Sequence, residues 1–374
     1  VSAVGTDCDD HVRYTFPGAP ELCHLGDNDC DGSLADDLGT ASFVPFAPGE
    51  VPVDVTAEMT GTYAVGEGQL NLCEGTWAVG LVVDGVTATI KGRGPEATAV
   101  DGSSAGVALR ASDARVTVTG LRVTGGTAGG VSVSGGSLLL DEVLVSGNST
   151  SGWGGGVFGA DASVVLLGCT VQDNAAAVAG GGVAVVSGSL SLVGAVVEGN
   201  SSDLAGGGIY ADGSGVWLRR SDIGANEAEW GGGLVLYHST ATAEESQVWG
   251  NVALGEGGGI YLARGVLDLV DSRLFYNRAS YGGGLHLEAA STVQCTDSNG
   301  VDLVVDHVSG NVATRGAGAW LAGSRESLGS SRCDWIDNLT DGGVLSDVDG
   351  AAFATPYEFG RDAVFTCTGS AGCE

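Results

Sequence analysis

A repeated asparagine organises the sequence and constrains its fold more than any other feature. Eight asparagines recur at nearly regular steps of 26, 26, 26, 25, 26, 34 and 27: Asn148, Asn174, Asn200, Asn226, Asn251, Asn277, Asn311 and Asn338. Glycine clusters follow the first six within a short distance, beginning at Gly154, Gly180, Gly206, Gly231, Gly257 and Gly282. Self-similarity at a fixed period of this length is typical of solenoids, in which each repeat packs on the next.

Apolar and polar residues alternate within each period over three short stretches. In one unit these stretches are residues 208–211, 215–218 and 221–223. Strands this short cannot form a hairpin meander and keep the period, but each can pair with its equivalent one period later. We therefore predict an all-β fold, a right-handed parallel β-helix with about 26 residues and three short strands per coil.

The asparagines and glycines are expected to shape the turns. Asparagine tolerates the left-handed backbone region, and its amide can bond to the asparagine one coil away. Glycine allows a sharp turn where a Cβ atom would clash. The longer step between Asn277 and Asn311 indicates an insertion of eight residues near 295–301. We expect that insertion to project as a loop.

An apolar residue stands three positions before each asparagine, as Val171 does before Asn174, and another follows most glycine clusters. This pattern resembles the repeats of the chlamydial polymorphic outer-membrane proteins and related bacterial β-helix proteins. The resemblance covers a little over half of the chain. It implies a surface-exposed protein, often an adhesive one.

A second motif, rich in Asp and Cys, occupies residues 1–40. It reads Asp7-Cys8-Asp9-Asp10, then Pro17-Gly18-Ala19-Pro20-Glu21-Leu22-Cys23, then Asp27-Asn28-Asp29-Cys30-Asp31-Gly32. It resembles the metal-binding motif of MopE-like bacterial surface proteins, and departs from it where His11 follows Asp10. The resemblance implies a bound metal in this segment.

The residues of this motif also favour a metal by their own chemistry. Asp27, Asp29 and Asp31, followed by Gly32, place oxygens at alternate positions of a loop. Calcium prefers such ligands, although Leu38 stands where a calcium loop usually has a bidentate glutamate. We predict structural Ca²⁺; the alternative is a solvated acidic loop held by disulfides. The candidate ligands are Asp7, Asp9, Asp10, Asp27, Asp29, Asp31 and Asp36.

The nine cysteines indicate an oxidising compartment. Connectivity does not follow from sequence, and the pairings we favour are Cys23 with Cys30, Cys8 with Cys73, Cys295 with Cys333, and Cys367 with Cys373. Cys169, in an apolar run, is then expected to be a buried free thiol. Because the chain opens at Val1 without a signal peptide, we expect a mature secreted chain that is extracellular or on the cell surface.

Four regions are predicted along the chain. They are the Asp/Cys-rich motif at 1–40, a cap or linker at 41–74, the parallel β-helix at 75–346, and a C-terminal tail at 347–374.

The charge balance limits the classes of partner. The chain has 46 acidic and 15 basic residues and a formal net charge of −31, so nucleic acid and anionic membrane surfaces are excluded as partners. No run of 18 apolar residues occurs, so we predict no transmembrane segment.

Aromatic residues at equivalent positions of several coils form a candidate partner face. Strand alternation points them outward, where rings in register suit sugar faces or another protein. The alternative is that a terminal segment or a loop covers them. The candidates are Trp153, Tyr210, Trp230, Trp249, Tyr261, Phe275 and Tyr281.

No pattern identifies catalytic residues, because carboxylates are too plentiful to single out a pair and the five histidines show no metal-ligand spacing. We therefore predict a non-enzymatic extracellular protein, adhesive or structural, whose partner is a cell surface, a polysaccharide or a further copy in a filament. The alternative is a β-helix protein that binds or cleaves polysaccharide.

Overall fold

The computed structural model describes residues 40–47, 50, 52–289, 291–296, 308–322, 327–328, 335–336, 338–340 and 348–350. Within these residues the regular structure consists of β-strands and two single-turn 3₁₀ helices, Thr56–Glu58 and Gly102–Ser104. The prediction of an all-β chain is confirmed.

The described strands form four sheets, here named A to D. Sheet A contains Val53–Asp54, Ala41–Pro45, Gly68–Leu72, Thr87–Lys91, Arg115–Thr119, Ser137–Asp141, Ser163–Leu167, Ser189–Val193, Gly215–Arg219, Thr240–Glu244, Val266–Val270, Thr292–Thr296 and Ser327–Leu328. Sheet B contains Gly61–Ala64, Val79–Asp84, Leu109–Ser112, Val131–Ser134, Val157–Ala160, Val183–Val186, Ile209–Asp212, Leu234–Tyr237, Ile260–Ala263, Leu285–Glu288, Ala319–Leu321 and Val348–Gly350.

The other two sheets have shorter strands. Sheet C contains Gly75–Trp77, Thr98–Asp101, Arg122–Thr124, Leu144–Ser146, Thr170–Gln172, Val196–Glu198, Asp222–Gly224, Gln247–Trp249, Arg273–Phe275, Val308–Ser309 and Trp335–Ile336. Sheet D contains Ser149–Thr150, Ala175–Ala176, Ser201–Ser202, Glu227–Trp230, Val252–Glu256, Arg278–Tyr281, Val312–Arg315 and Leu339–Thr340.

Strands of neighbouring coils pair in parallel and in register. Val157 pairs with Val183, and Val183 pairs with Ile209, each partner lying one coil further along the chain. The next step, from Ile209 to Leu234, is shorter by a single residue. The structure therefore confirms a parallel β-solenoid with about 26 residues per coil.

Sheet D is the departure from the predicted three strands per coil. From Ser149–Thr150 onward, a fourth short strand lies in the turn after each repeated asparagine. The first three of these strands are two residues long. A pair of residues is too short to show a period-two alternation, so the sequence pattern does not reveal it.

Branched aliphatic side chains fill the interior. In the sheet A strand Ser163–Leu167, Val164 and Leu166 are fully buried, whereas Ser163 and Leu167 are exposed. The equivalent inward positions one coil later are Leu190 and Leu192. Stacked columns of this kind remove apolar surface from water along the whole rod, which is the main stabilising contribution.

The repeated asparagines form a buried ladder. The Oδ1 atom of Asn226 accepts bonds from the backbone N–H and the Nδ2 of Asn200, both at 3.0 Å. Its Nδ2 donates to the Val197 carbonyl at 2.9 Å and to Asn251 Oδ1 at 3.0 Å. The predicted asparagine-to-asparagine bonds are confirmed.

The left-handed turn residue is not the asparagine, contrary to our expectation. The residue before it takes that conformation, with φ of +52° at Ala225 and +57° at Tyr276, and glycine fills this position in four other coils. The asparagine keeps an ordinary φ because its side chain must point inward to reach the next coil.

Two glycines of one cluster show why the cluster repeats. Gly206 has a φ of +64°, which a side chain rarely allows. At Gly207 a Cβ atom would lie 2.4 Å from the Glu227 carbonyl oxygen in the next coil. The second glycine is therefore required by close stacking of the coils rather than by its dihedral angles.

The start of the rod is closed on one side by an antiparallel pair. Ala41–Pro45 runs antiparallel to Gly68–Leu72 on one side. On its other side it pairs with Val53–Asp54, which is the edge strand. The parallel pairing between coils begins with two earlier strands. Gly61–Ala64 pairs with Val79–Asp84, and Gly68–Leu72 pairs with Thr87–Lys91. Both strands precede the boundary predicted at residue 75.

The predicted insertion lies between sheets A and C. Residues 297–307 separate Thr292–Thr296 from Val308–Ser309, whereas two residues separate Val266–Val270 from Arg273–Phe275. Asn277 Nδ2 still bonds to Asn311 Oδ1, at 3.0 Å, so the ladder is continuous across the insertion.

Candidate functional site

Two outward columns of side chains run side by side along the solenoid. The sheet B column consists of Phe158, Ala184, Tyr210, Val235, Tyr261, His286 and Trp320. The sheet D column consists of Trp153, Ala179, Ala205, Trp230, Glu256, Tyr281 and Arg315. Ile209 and Ala211 point into the core on either side of Tyr210, which places the Tyr210 ring outside.

A groove of about 310 Å³ lies between the two columns. We call it the aromatic groove and define it by its lining residues: Ala205, Tyr210, Trp230, Val235, Tyr237, Glu256 and Tyr261. The lining comprises two small aliphatic residues, three tyrosines, a tryptophan and a glutamate. Trp230 is 43% exposed, so the indole is accessible from solvent.

Aromatic packing continues beyond the groove in both directions. On one side, the Trp153 ring lies 6.2 Å from Phe158 and 5.8 Å from Tyr210, centroid to centroid. Ala179 and Ala184 occupy the coil between them, so nothing larger than a methyl fills that space. On the other side, Tyr281 contacts Trp320 at 5.1 Å.

His286 is buried although its strand position is outward. Tyr261 stacks on the imidazole at 5.0 Å with the planes 8° apart, and the residue is 2% exposed. Burial lowers the pKa of His286 to about 4. Its Nε2 atom lies 3.9 Å from Glu256 Oε2, a contact that would favour the protonated ring. We take the imidazole as neutral near pH 7, because 3.9 Å exceeds hydrogen-bond length and burial opposes charge.

Acidic groups surround this end of the groove. Burial raises the pKa of Glu256, and the charges of Glu288 and Glu229 raise it further. The Tyr261 hydroxyl donates a hydrogen bond to a carboxylate oxygen of Glu288. Burial is the main cause of the raised pKa of Tyr261, and that hydrogen bond to Glu288 adds to it.

A polar chain adjoins Tyr237, one of the lining residues of the groove. His238 Nδ1 lies 3.6 Å from Asp212 Oδ1, and His238 Nε2 contacts Arg264 Nη1 at 3.1 Å. The guanidinium carbon of Arg264 lies 6.0 Å from the centre of the Tyr237 ring. This distance is typical of a cation–π contact, so one ring of the groove wall already attracts a cation.

The structure brings five of the seven predicted face residues together and separates two. Trp230, Tyr210 and Tyr261 line the groove, with Trp153 and Tyr281 beside it. Trp249 and Phe275 lie on sheet C instead. They form a separate outward column of that sheet.

Sequence reasoning missed Tyr237, Glu256 and His286 as members of one site. Glu256 precedes a glycine cluster at the position that Trp230 holds one coil earlier. The sequence alone therefore places Glu256 in the same column as Trp230. Tyr237 follows the outward Val235 by two residues and shares its face. The contact of His286 with both Tyr261 and Glu256 depends on two sheets meeting, which no local pattern shows.

The predicted metal ligands, and most of the cysteines predicted to form disulfides, are not among the described residues. Asp7, Asp9, Asp10, Asp27, Asp29, Asp31 and Asp36 lie outside the described residues, as do Cys8, Cys23, Cys30, Cys333, Cys367 and Cys373. In the part of the chain that is described, no group of three or more His, Cys, Asp or Glu residues is arranged to hold a metal ion.

Three cysteines lie within the described residues. Cys73 and Cys295 are buried and disulfide-bonded, and the identity of their partners stays a prediction. Cys169 is free and buried, as predicted, and burial raises the pKa of its thiol to about 11. A thiol with that pKa is unreactive near neutral pH.

Across the described ranges, no helix has both the length and the apolar character needed to cross a membrane. Comparisons with protein-family models, with curated proteins and with solved structures found no match to this chain. The candidate site therefore has to be interpreted from its own geometry.

Proposed function

We propose that this chain is a non-enzymatic, extracellular adhesive protein that binds a polysaccharide along the aromatic groove. The observation that carries the proposal is the groove itself, in which Tyr210, Trp230 and Tyr261 come from successive coils and lie beside the Glu256 carboxylate. Aromatic rings stack on the apolar faces of sugars, and carboxylates accept hydrogen bonds from sugar hydroxyls. An open groove flanked by further rings suits a linear chain better than a compact small molecule.

The extracellular location is supported by the cysteine content and by the likeness of residues 7–32 to MopE-like surface proteins. Structural calcium in that segment is part of the same proposal, supported by the spacing of its aspartates. A right-handed coil also belongs to the proposal, because parallel crossover connections are right-handed in nearly all sheets.

Retardation of the protein in gels that contain polysaccharide tests glycan binding. We expect retardation by at least one polysaccharide of a neutral and charged panel. Trp230→Ala should weaken binding by about tenfold or more, since a central tryptophan commonly contributes about 2 kcal/mol and about 1.4 kcal/mol is a factor of ten. Trp217→Ala is the matched control, because Trp217 is 49% exposed on sheet A, away from the groove.

Two results would contradict the proposal. One is a chain that no polysaccharide retards. The other is a Trp230→Ala variant that is retarded as strongly as the unaltered chain.

Polysaccharide cleavage is the second candidate, and Glu256 is the observation that favours it. A carboxyl group with a raised pKa beside a second carboxylate is what acid–base hydrolysis of a glycoside uses. Release of reducing ends from the retained polysaccharide, abolished by Glu256→Gln, would establish cleavage and displace the non-enzymatic proposal.

A further inference from the structure

The aromatic groove carries negative charge that the described residues do not neutralise. The carboxylate of Glu256 lines the groove, and Glu229 and Glu288 act on it as like charges. Among the described residues, the one basic group within ion-pair distance of Glu256 is His286, at 3.9 Å. Because burial keeps the His286 imidazole neutral near pH 7, Glu256 has no cationic partner there.

The walls of the groove are suited to a cation. Tyr210, Trp230 and Tyr261 surround the same space as Glu256, and aromatic faces attract ammonium groups most strongly where water is excluded. The fourth ring, Tyr237, already has the Arg264 guanidinium 6.0 Å from its centre. Aromatic rings around a carboxylate are the arrangement that binds protonated or quaternary amines.

The length of the aromatic row favours a polymer over an isolated amine. Rings continue past the groove to Trp153 on one side and to Trp320 on the other. Successive coils are spaced by about 4.8 Å, so the platforms repeat along a straight line. A formal net charge of −31 repels polyanions such as uronate polymers.

We propose that the groove selects polysaccharides of free amino sugars, with the ammonium group beside Glu256 and the sugar faces on Trp230 and Tyr261. This inference rests on the proposed glycan binding and adds the charge class of the ligand.

Calorimetric titration of the full chain with three β-1,4-linked oligosaccharides of equal length tests the selectivity. The probes are an N-trimethylated glucosamine oligomer, whose charge is independent of pH, an N-acetylglucosamine oligomer, and a glucose oligomer. We expect the charged oligomer to bind at least about tenfold more tightly than either neutral one at neutral pH, the equivalent of about 1.4 kcal/mol.

Glu256→Gln keeps the shape of the side chain and removes its charge. It should reduce the preference for the charged oligomer over the neutral ones to about twofold, a difference of about 0.4 kcal/mol, whatever affinity all three oligomers lose together. Glu198→Gln is the matched control: Glu198 lies on sheet C, outside the groove, and the preference should survive its replacement.

The outcomes separate this inference from the function on which it rests. Binding of all three oligomers with equal affinity, lost in Trp230→Ala, would overturn the amino-sugar inference and leave glycan binding in place. A preference that persists in Glu256→Gln would also overturn it. Failure of all three oligomers to bind would overturn the amino-sugar inference, while glycan binding itself would still be decided by the polysaccharide panel in the gel assay. Equal binding of an oligolysine peptide would also overturn the inference, because it would assign the ammonium site to a protein partner.

Discussion

At the residue scale, His286 is a polar side chain that is buried beneath an aromatic ring. Its strand position is outward, yet Tyr261 covers the imidazole and leaves 2% of the residue exposed. Its Nδ1 atom is buried and has no hydrogen-bond partner in the described part of the protein. The free energy of unfolding should therefore include a pH-dependent contribution from this side chain.

Acidification should destabilise the protein through His286. With a pKa of about 4 in the folded state against 6.5 for the free side chain, the unfolded chain binds the proton first as pH falls. Stability is then lost as pH falls below about 6.5, and a drop from pH 7 to pH 5 should cost about 2 kcal/mol. Glu256 acts in the opposite direction, because its raised pKa favours the folded state as pH falls and its carboxylate lies 3.9 Å from His286 Nε2.

Denaturation of the unaltered chain and of His286→Phe at pH 7 and pH 5 measures this contribution. The phenyl ring keeps the stacking on Tyr261 and cannot be protonated. The variant should gain stability relative to the unaltered chain by about 2 kcal/mol more at pH 5 than at pH 7. An equal difference at the two pH values would show that the imidazole titrates in the folded state as it does in the unfolded chain.

At the element scale, the turn after sheet C combines a left-handed residue, an inward asparagine and a short sheet D strand. Ala225, Asn226 and Glu227 hold these three roles in one coil. The asparagine was predictable from its recurrence, because its side chain forms equivalent hydrogen bonds in successive coils. The left-handed residue was not, since glycine, aspartate, alanine and tyrosine all occupy that position.

Loss of one rung of the asparagine ladder should destabilise the solenoid. Asn226→Ala removes the acceptor of the Asn200 backbone N–H and Nδ2, and the side-chain donor to the Val197 carbonyl and to Asn251 Oδ1. Asn251 Oδ1 still accepts from the backbone N–H of residue 226, and Asn200 Nδ2 still donates to the Val171 carbonyl. Buried polar groups without partners cost roughly 1–3 kcal/mol each, and partial relaxation should hold the total near about 2–4 kcal/mol.

Chemical denaturation with Gln247→Ala as the control tests the ladder. Gln247 carries the same amide but is exposed on sheet C, so its replacement should change stability by less than about 0.5 kcal/mol. Equal effects of the two substitutions would mean that water replaces the missing amide in the ladder.

At the scale of the whole molecule, acidic side chains greatly outnumber basic ones, 46 against 15. The formal net charge is −31, and cross-coil ion pairs such as Arg219–Glu244, at 3.6 Å, offset only a small part of it. Self-repulsion of this kind destabilises the compact state, whereas an extended unfolded chain spreads its charges apart.

Sodium chloride should therefore raise the thermal midpoint of unfolding. Most of the increase is expected between low salt and about 0.15 M, where the Debye length falls to about 8 Å. Thermal scans monitored by circular dichroism in a salt series measure the effect, with sucrose at equal osmolality as the control. A midpoint that falls with salt would show that attractive pairs, rather than repulsion, dominate the surface.

The sequence by itself determined the solenoid, its period, its parallel pairing and its interior. Each of these follows from short-range patterns, such as the alternation of Leu190 and Leu192 with serines and the recurrence of Asn226 and its equivalents. A repeat transmits its local pattern to every coil, because each coil packs on a near copy of itself.

Only the tertiary structure decided which outward residues share a surface. Trp230 and Tyr261 line one groove because neighbouring strands of sheets B and D contribute to it, whereas Trp249, equally outward, lies on sheet C. Strand alternation specifies inside and outside, but the angle between two sheets depends on how the intervening turn packs against the next coil. The groove, the burial of His286 and the unpaired charge of Glu256 are consequences of that packing, so they have no signal in any single stretch of sequence.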